Sequence, residues 1–249
     1  MNDKNACDAA SAQWEDVCKG FKGCIQGGML CTSKISIFQG LSEEAQLNLI
    51  RIAQHKNFRR GDSVFCGEDP ADSILVVRFG RIKLSRFERD GQEFVLGILA
   101  KGDVMGETTL YSGEKRGMEG TALEDCGVCL ISTHEISGLV LRQPDMGVRL
   151  LRSVGGKLND AQQLMGILSR KYAQARLAGF LLFQAERFGG GPVELSHEDI
   201  AASVNLSRET VTRRLDGMER AGLIRLTGRR RILIADRSAL QAVFLEDRK

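Results

Sequence analysis

Nothing in this chain is apolar for long enough to span a bilayer, and its first residues show neither the basic nor the apolar region of a signal peptide. The sequence therefore predicts a cytoplasmic protein with no membrane contact. Aromatic platforms are scarce: one Trp and two Tyr in 249 residues leave little on which the bases of a single strand could stack. A strong charge of one sign is also lacking. The formal net charge of +3 gives no global field to attract a polyanion. There is no glycine fingerprint for a dinucleotide and no Walker loop. Glu107, Arg116 and the cysteines form no legible nucleophile–base set, so the chain does not read as an enzyme, a cysteine-dependent redox enzyme included. Three histidines are present, His55, His134 and His197. None lies in a haem-attachment motif, and structural roles come ahead of a haem sensor. In a reducing cytosol the seven cysteines point to metal or redox chemistry rather than to a disulfide framework.

What the chain does have concentrates at residues 196–220. Ser196, with Asp199 three residues on, has capping-box spacing. Ile200, Ala201 and Val204 give a first helix its apolar face. Asn205 tolerates the left-handed backbone of a tight turn, and Ser207 caps a second helix. In that helix Val211, Leu215 and Met218 fall at i, i+4 and i+7 and face inward. The opposite face carries Arg208, Glu209, Thr212 and Arg213, the side chains that a recognition helix presents to a major groove. Arg213 can fork onto the O6 and N7 of a guanine, and Glu209 can accept from a cytosine amine. Thr212 offers a methyl for thymine and a hydroxyl for a polar edge, while Arg208 reaches a guanine or a phosphate. Leu223–Thr227, a turn at Gly228-Arg229-Arg230 and Arg231–Ile234 then read as a wing. Eight arginines lie between 208 and 231, a local surface for phosphates.

The middle of the chain divides by period. Glu43–Ala53 looks helical. From Gly61 to Ile131 the pattern becomes short β runs between glycines: Ser63–Phe65, Ile74–Phe79, Arg81–Arg86, Phe94–Leu99 and Val128–Ile131. Pro144 opens a long helix. In it Leu151, Val154, Leu158, Ala161, Met165, Leu168 and Tyr172 recur at spacings of three and four, a heptad seam for two parallel helices. Gly155 and Gly156 lie inside it and weaken it by roughly 1 kcal/mol each relative to Ala.

The run Leu206-Ser207-Arg208-Glu209-Thr210-Val211-Thr212-Arg213 resembles the recognition helix of the CRP/FNR family of bacterial transcription regulators, and the resemblance covers nearly all of the chain from about residue 35. Arg208, Glu209 and Arg213 match the CRP-type set. Thr212 stands where FNR-type members have Ser, and Arg214 where relatives usually carry an aliphatic residue. The resemblance implies an α+β fold: a cysteine-bearing segment at 1–34, an antiparallel β-roll sensory domain of the cyclic-nucleotide-binding kind at 35–141, a dimerisation helix at 142–172 and a winged helix-turn-helix at 173–249. It also implies a homodimer on palindromic double-stranded DNA, with half-sites about one helical turn apart, and contact with RNA polymerase.

Two sensory chemistries follow from the same resemblance. Cyclic-nucleotide receptors use a Gly-Glu pair and an Arg-Ser pair, the Glu for a ribose hydroxyl and the Arg for the cyclic phosphate. Gly106, Glu107 and Arg116 fill three of those places, Gly117 replaces the Ser, and Ala161-Gln162 replaces the Thr-Ser expected to meet the base. FNR-type oxygen sensors hold a [4Fe–4S] cluster on three N-terminal cysteines and one central cysteine. Here Cys18, Cys24, Cys31 and Cys129 take those roles, and Ala122-Leu123-Glu124 before Cys129 matches the FNR pattern. The N-terminal spacing is five and then six residues, where FNR-type chains have two and then five; loop-closure entropy changes slowly with such lengths. Cys7 can replace one of the three. Cys126 and Cys129 point to opposite faces of an alternating strand. A zinc site or free buried thiols are the other readings of these cysteines.

Overall fold

The structure is a computed structural model that describes residues 25–26, 29–30, 32, 35–89, 91–108, 115–228 and 230–246. Cys7, Cys18, Cys24 and Cys31 lie outside the described residues. The chain forms two compact units, one of residues up to 86 with 97–156, the other of residues 87–96 with 157–249.

The first unit opens with the antiparallel pair β1 (Ile25–Gln26) and β2 (Met29–Leu30). Ser42 accepts from the Ala45 N–H and caps α1 (Glu43–Ile52), and Glu43 and Glu44 in its first turn complement the helix dipole. The strands are β3 (Gln54–Phe58), β4 (Ser63–Phe65), β5 (Ser73–Phe79), β6 (Ile82–Phe87), β7 (Glu93–Leu99), β8 (Val104–Met105), β9 (Glu119–Ala122) and β10 (Cys126–Ser132). They form two four-stranded sheets in the orders β3-β10-β5-β8 and β4-β9-β6-β7. Gly80, at φ +76, turns β5 into β6; a Cβ there would sit 2.5 Å from the Asp125 carbonyl oxygen, so no other residue fits.

Alternation explains the core. Leu75 and Val77 of β5 join Cys126 and Val128 of β10 in a cluster with Phe65, Ile82, Leu99 and Ala122 that draws on both sheets. Their neighbours Ile74, Val76, Cys129 and Ile131 join Phe38, Leu49, Ile136, Leu139, Met146 and Leu150 in a second cluster. Buried on both faces, β5 and β10 read as continuous apolar runs. Ser132 accepts from the Glu135 N–H and caps α2 (Thr133–Arg142). That helix stops at Gln143, as expected of a residue before proline.

α3 (Pro144–Leu168) opens at Pro144 as its sequence indicates. It ends four residues before the expected boundary at 172. The Ser169 hydroxyl donates to the Gly166 carbonyl and the Arg170 N–H bonds to the Ile167 carbonyl, a tightening turn, and Tyr172 becomes the N-cap of α4 (Ala173–Arg187). Tyr172 is therefore not a member of the helical seam. Along α3, Leu151, Leu158 and Met165 are 73%, 58% and 69% exposed. Ala161 and Leu168 are exposed too, and Val154 is half-buried. The division between the units falls within this helix, after Gly156.

The second unit contains α4, β11 (Val193–Glu194), α5 (His197–Val204), α6 (Arg208–Arg220), β12 (Ile224–Thr227), β13 (Arg231–Ile234) and α7 (Arg237–Leu245). β13 lies between β11 and β12. Phe180, Leu181, Ile200, Val204, Val211, Leu215, Met218, Ile224, Ile232 and Leu240 are buried there. No described helix is long and apolar enough to cross a membrane.

Candidate nucleic-acid interface

The turn between α5 and α6 is built as its residues dictate. Ser196 accepts from the Asp199 N–H at 3.1 Å and starts α5. Asn205 ends α5 at φ 51 and ψ 56, its N–H bonded to the Ala201 carbonyl, and a short polar side chain is what that left-handed backbone tolerates. Ser207 accepts from the Thr210 N–H at 3.2 Å and starts α6. Val211, Leu215 and Met218 are buried, which turns the opposite face of α6 outward. An open hollow of about 720 Å³ lies along that face, lined by Ser207, Arg208, Glu209, Thr212, Arg213, Asp216 and Arg220. All five residues expected to contact DNA, Ser207, Arg208, Glu209, Thr212 and Arg213, therefore line one surface. Arg214 is exposed, so the departure from an aliphatic residue leaves the packing intact.

Three supporting residues carry no sequence signal of their own. Arg176 of α4 donates from Nη1 to the Val204 and Asn205 carbonyls at 3.2 and 3.3 Å. Its positive charge thus sits at the C-terminus of α5, where the helix dipole favours it. His197 Nδ1 lies 2.9 Å from Thr212 Oγ1. Arg208 Nη1 donates to Glu198 Oε1 at 2.9 Å, with both side chains 68% exposed. The sequence marks His197 and Glu198 only as members of a first turn; their partners come from the crossing of the two helices. Behind α6, Glu219 Oε1 accepts from the Leu226 N–H at 2.6 Å and ties the helix to the wing. Arg225 and Arg231 are exposed on that wing, which places cations for phosphate contact; Arg229 lies outside the described residues.

In the first unit, Cys126-Gly127-Val128-Cys129 has the C-x-x-C spacing of redox pairs and zinc ligands. The strand separates the two thiols: Cys126 belongs to one core cluster and Cys129 to the other. Burial pushes the Cys126 thiol up to about 11, the carboxylates of Glu124, Asp125 and Asp62 add to the rise, and Arg78 opposes it. Cys126 is thus a poor source of thiolate. Cys129 is 6% exposed and faces His55 directly across the β3–β10 ladder, with Sγ 3.2 Å from Nδ1. His55 Nε2 lies 3.2 Å from the Ile50 carbonyl. A carbonyl only accepts, so Nε2 carries the proton and Nδ1 is the acceptor for the Cys129 thiol. Of the four expected cluster ligands Cys129 is the one described, and among the described residues no group of three or more His, Cys, Asp and Glu could hold a metal ion.

The nucleotide cassette keeps its Gly106-Glu107 end and departs at the other, where Gly117 follows Arg116. Glu107, 5% exposed, accepts from the Ser153 hydroxyl of α3 at 2.7 Å. Gly106, at φ +102, precedes it. Arg116 donates from Nη2 to the carbonyl and hydroxyl of Ser73 and lies over the Phe65 ring at 5.3 Å. Burial lowers its pKa below the usual arginine value, against the opposing pull of Asp69 and Asp72. His134 is exposed on α2.

Two domain profiles match this chain: a cyclic nucleotide-binding domain over residues 55–143 and a Crp-like helix-turn-helix domain over residues 175–243. The CRP-like cAMP-activated global transcriptional regulator of Mycobacterium tuberculosis is 29% identical over 215 residues, covering 84% of this chain and 96% of that protein. The fumarate and nitrate reduction regulatory protein of Salmonella typhi is 28% identical over 199 residues, covering 77% and 79%. Among solved structures, FixK2 from Bradyrhizobium japonicum superposes with a TM-score of 0.70 at 26% identity, covering 77% of this chain and 97% of that one.

Proposed function

We propose, because this chain belongs to the CRP/FNR family of DNA-binding transcription regulators, that it works as a homodimer reading a palindromic duplex with α6 and sensing oxygen, or another oxidant such as nitric oxide, through a [4Fe–4S] cluster. The chain is a regulator and not an enzyme. The observation that carries the DNA reading is the single outward face of α6, with Arg208, Glu209, Thr212 and Arg213 along one hollow. RNA polymerase is the partner expected once the dimer is seated.

Cys18, Cys24, Cys31 and Cys129 would hold the cluster, and when bound it supplies an oxidant-labile tie between the N-terminal segment and β10. Cys129 suits the role by its chemistry: a thiol is the soft ligand that a cluster takes up as thiolate, and His55 Nδ1 lies 3.2 Å from its sulfur. The seam Leu151, Val154, Leu158, Ala161, Met165 and Leu168, exposed in all but the half-buried Val154, then buries against its copy in a second chain. Gly155 and Gly156 keep that helix marginal, so a small bias at its start decides whether two chains pair. Anaerobic purification tests the sensing half: a brown, iron-loaded dimer is expected, and a colourless protein that takes up no iron on reconstitution contradicts it.

A cyclic nucleotide is the second reading. Against it stand the Ser153 hydroxyl already on Glu107 and Gly117 in place of a phosphate-binding Ser. Millimolar cyclic AMP should leave duplex affinity unchanged in a mobility-shift titration, and a rise of tenfold or more would restore the nucleotide reading. Glu198 competes with DNA for Arg208 and adds a negative charge beside the phosphates. Glu198→Ala should therefore tighten binding to any duplex by about 2- to 5-fold, the scale of an exposed ion pair, measured by anisotropy at fixed salt.

A further inference from the structure

The first turn of α5 touches α6 at two of its reading side chains. Glu198 holds Arg208 and His197 holds Thr212. The second contact bears on what Thr212 can read. A threonine offers a groove two different groups, a hydroxyl for a polar base edge and a γ-methyl for the 5-methyl of thymine. In a helix its χ1 is confined to two rotamers, so the side chain cannot turn both groups to the same place. Here the hydroxyl is engaged by His197 Nδ1 at 2.9 Å, while Thr212 also lines the hollow in front of α6. With Oγ1 committed to His197, the γ-methyl is the group of Thr212 left for a base in that hollow.

We propose that His197 is a positioning residue that makes Thr212 a reader of the thymine methyl, by holding the Thr212 hydroxyl away from the base edge. This rests on the reading of DNA by α6 and specifies it: one base pair in each half-site is recognised through an apolar contact rather than a hydrogen bond. Thr212 contributes the contact, and His197 decides which end of Thr212 makes it. The imidazole itself need not touch DNA.

Replacing thymine by deoxyuridine removes the 5-methyl and nothing else, which gives a direct probe. The full chain, prepared anaerobically, is titrated against a duplex recovered from a random-sequence selection, with each thymine of a half-site exchanged in turn. For the parent protein one thymine should show a penalty of about 4-fold, the scale of one buried methyl. Thr212→Ser keeps the hydroxyl on His197 and loses the methyl, so the penalty at that thymine alone should vanish. His197→Ala frees the hydroxyl to compete for the base edge, so the penalty should fall below about 1.5-fold while the preference for guanine read by Arg213 stays as in the parent. His197→Asn, whose amide stands near the place of Nδ1, should restore it. A deoxyuridine penalty unchanged in His197→Ala overturns the inference and leaves DNA reading by α6 intact. Failure of the parent protein to enrich any duplex removes that reading, and this inference with it.

Discussion

Cys129→Ser, purified without oxygen, should be colourless, hold little iron and bind its selected duplex at least about 100-fold more weakly than the parent, ~2.7 kcal/mol of affinity. Serine is the right replacement because its hydroxyl can still donate to His55 Nδ1 across the β3–β10 ladder, so the buried site keeps its hydrogen bond and the fold survives. A hydroxyl is a poor ligand for a cluster that needs soft thiolates. Without the cluster tie, α3 with the Gly155-Gly156 pair inside it should leave the chain monomeric, and one recognition helix reads one half-site where two are needed. Iron content, visible absorption and size-exclusion elution in the same preparations separate the steps. Cys126→Ala is the contrast. Its thiol lies in the core cluster on the other face of β10 with its pKa raised to about 11, so this variant should keep colour, dimer and affinity. Loss of the cluster in Cys126→Ala with retention in Cys129→Ser would reverse the assignment of the central ligand.

Arg213→Ala should cost about 1–3 kcal/mol on the selected duplex, roughly 5- to 150-fold, and relax the preference for guanine at one position of each half-site. The side chain is exposed beside the hollow and α6 is anchored by Val211, Leu215 and Met218, so the loss comes from the contact and not from the fold. Affinity for random duplex should change far less, and the slope of affinity against salt should stay within about one ion of the parent. An equal loss on random DNA would make Arg213 a phosphate contact.

The helix-turn-helix was legible because every level of its sequence agrees. Ser196 and Ser207 cap, Asn205 turns, and Val211, Leu215 and Met218 keep the helical period. The long strands β5 and β10 were legible for a similar reason, since their apolar runs feed two core clusters. β8 has two residues and β9 four, too few to show a period, and both form because partners lie beside them. β3 reads Gln-His-Lys-Asn-Phe, polar in all but its last residue, and owes its strand to pairing with β10. The end of α3 was misplaced because Tyr172 continues the apolar spacing beyond the turn that stops the helix. At the site, the reading face needed only local spacing. The contacts His197–Thr212, Glu198–Arg208 and His55–Cys129 join residues 15, 10 and 74 positions apart, and only the packed chain brings those pairs together.

The measurement closest to the central claim is a random-sequence duplex selection run twice on one preparation, once without oxygen and once after exposure to air. The account expects the anaerobic protein to enrich a two-fold symmetric motif with half-sites about one helical turn apart, and the air-exposed protein to enrich none. If no duplex is enriched in either state, the outward face of α6 does not read DNA. If the same motif is enriched equally in both, the chain reads DNA but does not sense the oxidant.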